Sequence, residues 1–337
     1  MFNNADLLPD YRTEKVESII NKMADRVVQV KGPSVNGSGI IFKANNKFYL
    51  QTCVHVIIAF CPEHNQNKVP QGTPCQHCDY EAYVVKNVGV EYKDRFGEEG
   101  HIDREKIKLV AMCESSEKAI FSLDEVPKFI QENDMKDLRW LVVDIQINGN
   151  QTNTIKGLLE VHKTASRDPT FIIRSAKPIA EGTECCIVFN NTQETRCTGI
   201  EKCCNYCSWL FFDQTILPTK AKDYFFKGLP WETNGEQQVV VIAYAEDKEI
   251  RFGKPLPDPD HQDCLIPCEG ISPPKGIAPL KKVVFLKHDA SVKDGNSGGC
   301  VFVIGKDTKA SIGYKSYMCM HIAGNDDHGL SSIGLIN

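Results

Sequence analysis

Ser297 sits inside the run Gly295-Asn296-Ser297-Gly298-Gly299, entered from Asp294 and followed by apolar Cys300-Val301-Phe302-Val303-Ile304. That layout suits a hydroxyl nucleophile in acyl transfer. The glycines let the backbone turn tightly, so that the amides of Gly295 and Ser297 can point into one small cavity and hold an oxyanion beside Ser297 Oγ. Taken alone, the run is also an ordinary loop sequence. A serine of this kind needs a base, and the base needs an element to hold it.

His55 is the candidate base. Gly37-Ser38-Gly39-Ile40-Ile41-Phe42 and Phe48-Tyr49-Leu50-Gln51-Thr52-Cys53 read as two strands. The Lys43-Ala44-Asn45-Asn46 turn would join them, because asparagine tolerates the left-handed conformation of a tight hairpin. His55 follows the second strand directly and precedes apolar Val56-Ile57-Ile58-Ala59-Phe60. An isolated histidine in such a place is commonly a buried side chain with a backbone partner. The Gly-Ser-Gly lead-in and the Thr52-Cys53-Val54-His55 ending favour the catalytic reading.

These blocks, in this order, resemble those of the chymotrypsin-like (trypsin-fold) serine peptidases. The resemblance implies an all-β fold of two six-stranded antiparallel β-barrels, here with an N-terminal helix and long loop insertions. It also implies a serine endopeptidase whose triad runs His, Asp, Ser along the chain. Asp137-Leu138-Arg139-Trp140-Leu141-Val142-Val143 has the form common in the Deg/HtrA branch, which makes Asp137 the preferred acid. Asp144, opening Asp144-Ile145-Gln146-Ile147, is its rival. Met320-His321-Ile322-Ala323-Gly324-Asn325 is similar to the Gly-Ile-His-Val-Gly-Gly-Asn block of picornaviral 3C-like peptidases, whose histidine faces the P1 side chain. Carried over, His321 would contact P1, and a peptide would add as an extended strand beside Ile322 and Gly324. A Gln or Glu at P1 would follow. Where the 3C-like enzymes place a threonine, this chain has Val292, and Ser291 next to it is the candidate substitute. The alternatives kept open are a Deg/HtrA-like quality-control peptidase and a catalytically silent peptide-binding relative.

Length and composition agree with a folded protein: 337 residues, 42% hydrophobic and 25% charged, enough for one large core or two moderate ones. A net charge of −5 argues against a generic nucleic-acid surface. No apolar stretch is long enough to cross a bilayer, and no signal-like segment opens the chain. The expectation is therefore a cytoplasmic enzyme acting on protein or peptide, with neither nucleic acid nor membrane as partner.

In a reducing compartment the 15 cysteines are thiols or metal ligands rather than a disulfide frame. Cys61-x2-His64 followed by Cys75-x2-Cys78 has the spacing of a structural zinc knuckle, just after the His55 segment. A second group comprises Cys185, Cys186, Cys197, Cys203, Cys204 and Cys207, and a third is His261-x2-Cys264-x3-Cys268; free buried thiols are the simpler account of those two. No cofactor is expected in the chemistry itself.

Along the chain, residues 13–24 carry helical spacing. Residues 1–148 are expected to form the helix and first barrel, using strands at 27–30, 40–42, 48–50, 83–85 and 138–147. Gly149-Asn150-Gln151-Thr152-Asn153 would cross over. Residues 149–337 would form the second barrel from segments 171–173, 184–189, 239–243 and 282–286 with the Ser297 and His321 strands.

Overall fold

The computed structural model describes residues 4–32, 35–58, 88–94, 97–113, 118–132, 135, 137–162, 170–189, 193–203, 206–217, 236–256, 285–306, 312–324 and 329–332. It begins with helix α1 (Glu14–Ala24), capped by Thr13, whose Oγ1 accepts from Val16 N. A cap of this kind contributes about 1 kcal/mol. Val16, Ile20 and Met23 form the buried face of α1, the i, i+4, i+7 spacing that the sequence displays.

The first sheet follows: β1 (Val27–Lys31), β2 (Asn36–Ala44), β3 (Lys47–Cys53), β4 (Gly89–Lys93), β5 (Glu99–Ile102), β6 (Ile107–Cys113) and β7 (Lys118–Leu123). Its order is β5-β4-β1-β2-β3-β7-β6. Asn45 and Asn46 close the β2–β3 hairpin at φ 51 and 60°, as their chemistry predicts. A short helix, α2 (Val54–Ile58), carries His55 off the end of β3, and α3 (Lys128–Glu132) lies beyond β7.

The all-β fold is as expected, and a closed six-stranded barrel is present, but it is not one of the two units that the sequence suggested. Among the described residues the closed barrel is a third unit, lying between the His55 and Ser297 halves of the chain. It consists of β8 (Val142–Ile147), β9 (Asn150–His162), β10 (Thr170–Ser175), β11 (Cys185–Phe189), β12 (Gln193–Lys202) and β13 (Ser208–Phe212), ordered β10-β13-β12-β11-β8-β9. The expected crossover at 149–153 is a hairpin instead. Asn148 and Gly149 adopt φ 54 and 66°, the left-handed pair that turns β8 straight back along β9. The anticipated boundary at 148/149 therefore falls inside this barrel. Segments 171–173 and 184–189 belong to it, and so does the strand from Val142 that was assigned to the first half.

The last sheet is β14 (Gln238–Tyr244), β15 (Lys248–Gly253), β16 (Phe285–His288), β17 (Cys300–Lys306), β18 (Ile312–Gly324) and β19 (Gly329–Ser332), ordered β15-β14-β17-β18-β19-β16. Strand alternation gives β14 and β17 two buried faces. Val240, Ile242, Phe302 and Ile304 join the core shared with α1 and the first sheet, while Val239, Val241, Val301 and Val303 pack on Ala290 and Val292. The shared core is what fixes the first and last sheets against each other. The barrel fills its own interior with residues such as Ile145, Phe171, Ile187 and Leu210.

Candidate active site

The turn holding Ser297 is braced from within by Asn296. This side chain is 1% exposed; its Nδ2 donates to Tyr244 O at 3.1 Å and its Oδ1 accepts from Lys293 N at 2.8 Å. Gly299 N donates to Asn296 O, and Gly295 and Gly298 both take φ of +91°, where a side chain would strain the backbone.

From outside, the turn docks on the first sheet. Ser38 N donates to Ser297 O at 2.7 Å. Ser38 Oγ donates to Gly295 O at 3.0 Å, lies 3.3 Å from Tyr244 O, and accepts from Tyr244 N at 2.7 Å. Thr52 Oγ1 donates to Ser38 O at 2.7 Å. A Cβ on Gly298 would run into Ser38 O and stand 2.8 Å from Thr52 Oγ1. Only glycine allows this approach.

His55 belongs to the same corner. It is half-buried on α2, three residues past Thr52. A Cβ on Gly37 would stand 2.5 Å from Val56 Cγ2 and 3.0 Å from Ser297 O. The residue after His55 and the carbonyl of Ser297 thus meet at one point on β2. The Gly-Ser-Gly lead-in is what lets both loops come close.

Asp137 is elsewhere, and the sequence assignment is corrected. Its Oδ2 accepts from Asn46 N at 3.2 Å and faces Arg139 Nε at 3.5 Å. Asn46 is the tip of the β2–β3 hairpin, while His55 follows the other end of β3. Seven strand residues separate those ends by roughly 20 Å. Asp144 is no better placed: it lies on a barrel strand, ion-paired with Lys156. Both acids act on Tyr49 near the start of β3, whose hydroxyl is pushed up to about 12 first by burial and then by Asp144 and Asp137. The pattern of an acid heading an apolar strand was real, but Leu138 N bonds to Lys43 O and Asn45 Nδ2 to Val142 O, so that strand leaves from the wrong end of the hairpin.

The strand that does reach the His55 end is β7. Cys53 pairs with Lys118, and Lys118 pairs with Cys113 across β6. The connection between Cys113 and Lys118 reads Glu114-Ser115-Ser116-Glu117; those four lie outside the described residues. Lys118-Ala119-Ile120-Phe121 carries the same acid-then-strand signal as Asp137, and sequence reasoning passed over it.

Ser291 is half-buried just before buried Val292. His321, Ile322 and Gly324 lie on β18, which pairs with β17 only as far as Met320 opposite Cys300. From His321 to Gly324 the register is with β19, through Ser331, Leu330 and Gly329, with an irregularity at Ile322. Among the described residues, the β17–β18 register ends at the Met320–Cys300 pair. Cys61, His64, Cys75 and Cys78 fall outside the described residues. Among the described residues, no helix is long and apolar enough to cross a membrane.

No protein-family profile matches the chain, and no curated protein matches it in sequence. Among solved structures it is similar to Deg5, with a TM-score of 0.37 and 11% identity, covering 94% of this chain and 90% of that one. It is also similar to Rv3671c from M. tuberculosis H37Rv, with a TM-score of 0.31 and 10% identity over 94% and 84% of the two chains. The HtrA-type protease AlgW gives a TM-score of 0.20 at 9% identity, over 89% of this chain and 97% of that one. Likenesses this distant carry no argument about the site, which rests on the contacts given above.

Proposed function

We propose that the chain is a chymotrypsin-like serine endopeptidase in which Ser297 is the nucleophile and His55 its base. One observation carries the reading: the Ser297 turn and the residue following His55 converge on Gly37, with Ser38 and Thr52 locking the turn in place. In this reading His55 takes the Ser297 proton as Oγ attacks the scissile carbonyl, then delivers it to the leaving amine. The amides of Gly295 and Ser297 bind the oxyanion, a donor of this kind contributing about 3–4 kcal/mol. The acid that would orient His55 is left unassigned, because Asp137 and Asp144 lie away from it among the described residues. The substrate adds as a strand along His321–Gly324, and His321 with Ser291 selects Gln or Glu at P1.

A fluorophosphonate probe tests the core of this. The wild-type protein should label, and Ser297→Ala and His55→Ala should not. Labelling that survives Ser297→Ala rejects the nucleophile, and a folded wild type that never labels rejects the enzyme. A P1-randomised peptide library tests the finer statement, which fails if cleavage follows Arg, Phe or Ala.

A further inference from the structure

A cluster of thiols joins the first sheet to the closed barrel. Cys203 and Cys207 flank the β12–β13 turn at Cys-x3-Cys spacing, and Cys203 N donates to Cys207 O at 3.3 Å. Cys113 arrives from the end of β6. The three Sγ atoms lie within 4.8 Å of one another, with Cys113 and Cys203 3.6 Å apart. A disulfide requires about 2.05 Å. Sulfurs bound at about 2.3 Å to one tetrahedral ion stand about 3.8 Å from each other. The observed spacing is the second kind.

The surrounding charges point the same way. Lys118, Arg174 and Glu160 are 4%, 1% and 9% exposed. Glu160 Oε1 holds Arg174 Nη2 at 2.5 Å and faces Lys118 Nζ at 3.8 Å. This trio carries two positive charges against one negative charge. Nε and Nη1 of Arg174 are buried without a hydrogen-bond acceptor among the described residues. Three thiolates on a divalent ion carry one net negative charge. That charge neutralises the excess, and metal-bound sulfur accepts N–H bonds of the kind Arg174 still has to make.

We propose that Cys113, Cys203 and Cys207 bind one structural zinc ion as thiolates, with water completing the tetrahedron. On binding, the three thiol protons pass to solvent. The ion clasps the β12–β13 turn to the end of β6. Tyr206 of that turn already packs on the first sheet's core. This site is separate from the Cys61/His64/Cys75/Cys78 group and does not depend on the peptidase reading.

The test is metal analysis and thiol mapping on the full chain. Cys113→Ser, Cys203→Ser and Cys207→Ser should each bind one zinc equivalent fewer than the wild type, and a Cys61→Ser/Cys75→Ser variant should keep that equivalent. Because a variant can fail to fold, the wild type is also alkylated natively with and without a chelator, and the modified thiols are mapped by mass spectrometry. The expected result is that these three thiols resist alkylation together and become reactive together once metal is stripped. Equal alkylation rates in both conditions, a Cys113–Cys203 disulfide, or iron in place of zinc would each overturn the proposal.

Discussion

The amide of Ser38 donates to the carbonyl of Ser297 across 2.7 Å, joining the second strand of the first sheet to the turn ahead of β17. This junction is one of the contacts that hold the Ser297 turn, beside the Asn296 bonds within it. Ser38 is fully buried, and its hydroxyl is also tied to Gly295 and Tyr244. Ser38→Ala strands those backbone groups, so a loss of about 1–3 kcal/mol in urea unfolding is expected. Fluorophosphonate labelling should slow by more than the unfolded fraction accounts for. An unchanged rate in the folded variant would show that the junction does not position Ser297.

The acid assignment separates cleanly by mutation. Asp137→Asn, at the hairpin tip beside Asn46, should leave peptide hydrolysis within a few-fold of wild type. His55→Ala, which removes the candidate base, should lower kcat by roughly 10⁴-fold or more. A loss in Asp137→Asn as large as that in His55→Ala would return the role of triad acid to Asp137.

Glu160 neutralises the fully buried Arg174. Glu160→Ala leaves that charge unpaired and should cost about 3–5 kcal/mol. Cutting the exposed Lys31–Glu91 pair with Glu91→Ala should cost no more than about 1 kcal/mol. Equal effects on the urea midpoint would mean that Arg174 is solvated in solution.

Lys248 provides a pH signature. Its Nζ donates to Ala24 O at 3.0 Å and Lys93 O at 2.8 Å, tying β15 to the end of α1 and to β4. Burial is the main cause holding its pKa down at about 8 against an ordinary 10.5, with Asp25, Asp247 and Asp94 opposing. Between those values the unfolded chain binds this proton more than the folded one does. The Lys248 contribution to stability therefore rises from pH 8 to 10.5. Wild type should gain on Lys248→Met across that window, and a constant difference between the two would contradict the shift.

Local chemistry was legible in the sequence. The Asn45-Asn46 hairpin, the Thr13-capped helix and the glycines around Ser297 depend on neighbours a few residues away, and the structure has them as the sequence implies. What the sequence hid is pairing over distance. Residues 142–147 alternate like any strand of this chain, and nothing local says that they close on β9 and β11 rather than joining β7. Asp137 was misplaced for the same reason: an acid before an apolar run marks a strand head, but not which end of which sheet it reaches. Cys113, alone in its stretch of sequence, gave no sign of the two thiols that it meets from 90 or more residues away.

A ring of strands offers no free edge. The middle unit, closed from β8 to β13, can therefore neither donate a strand to the sheets on either side nor accept one. Its surface loops and outward side chains can diverge in size and chemistry while the His55 and Ser297 halves keep their register. What joins it to the rest is side-chain packing, Val142 and Leu158 lying in the core shared with the two sheets.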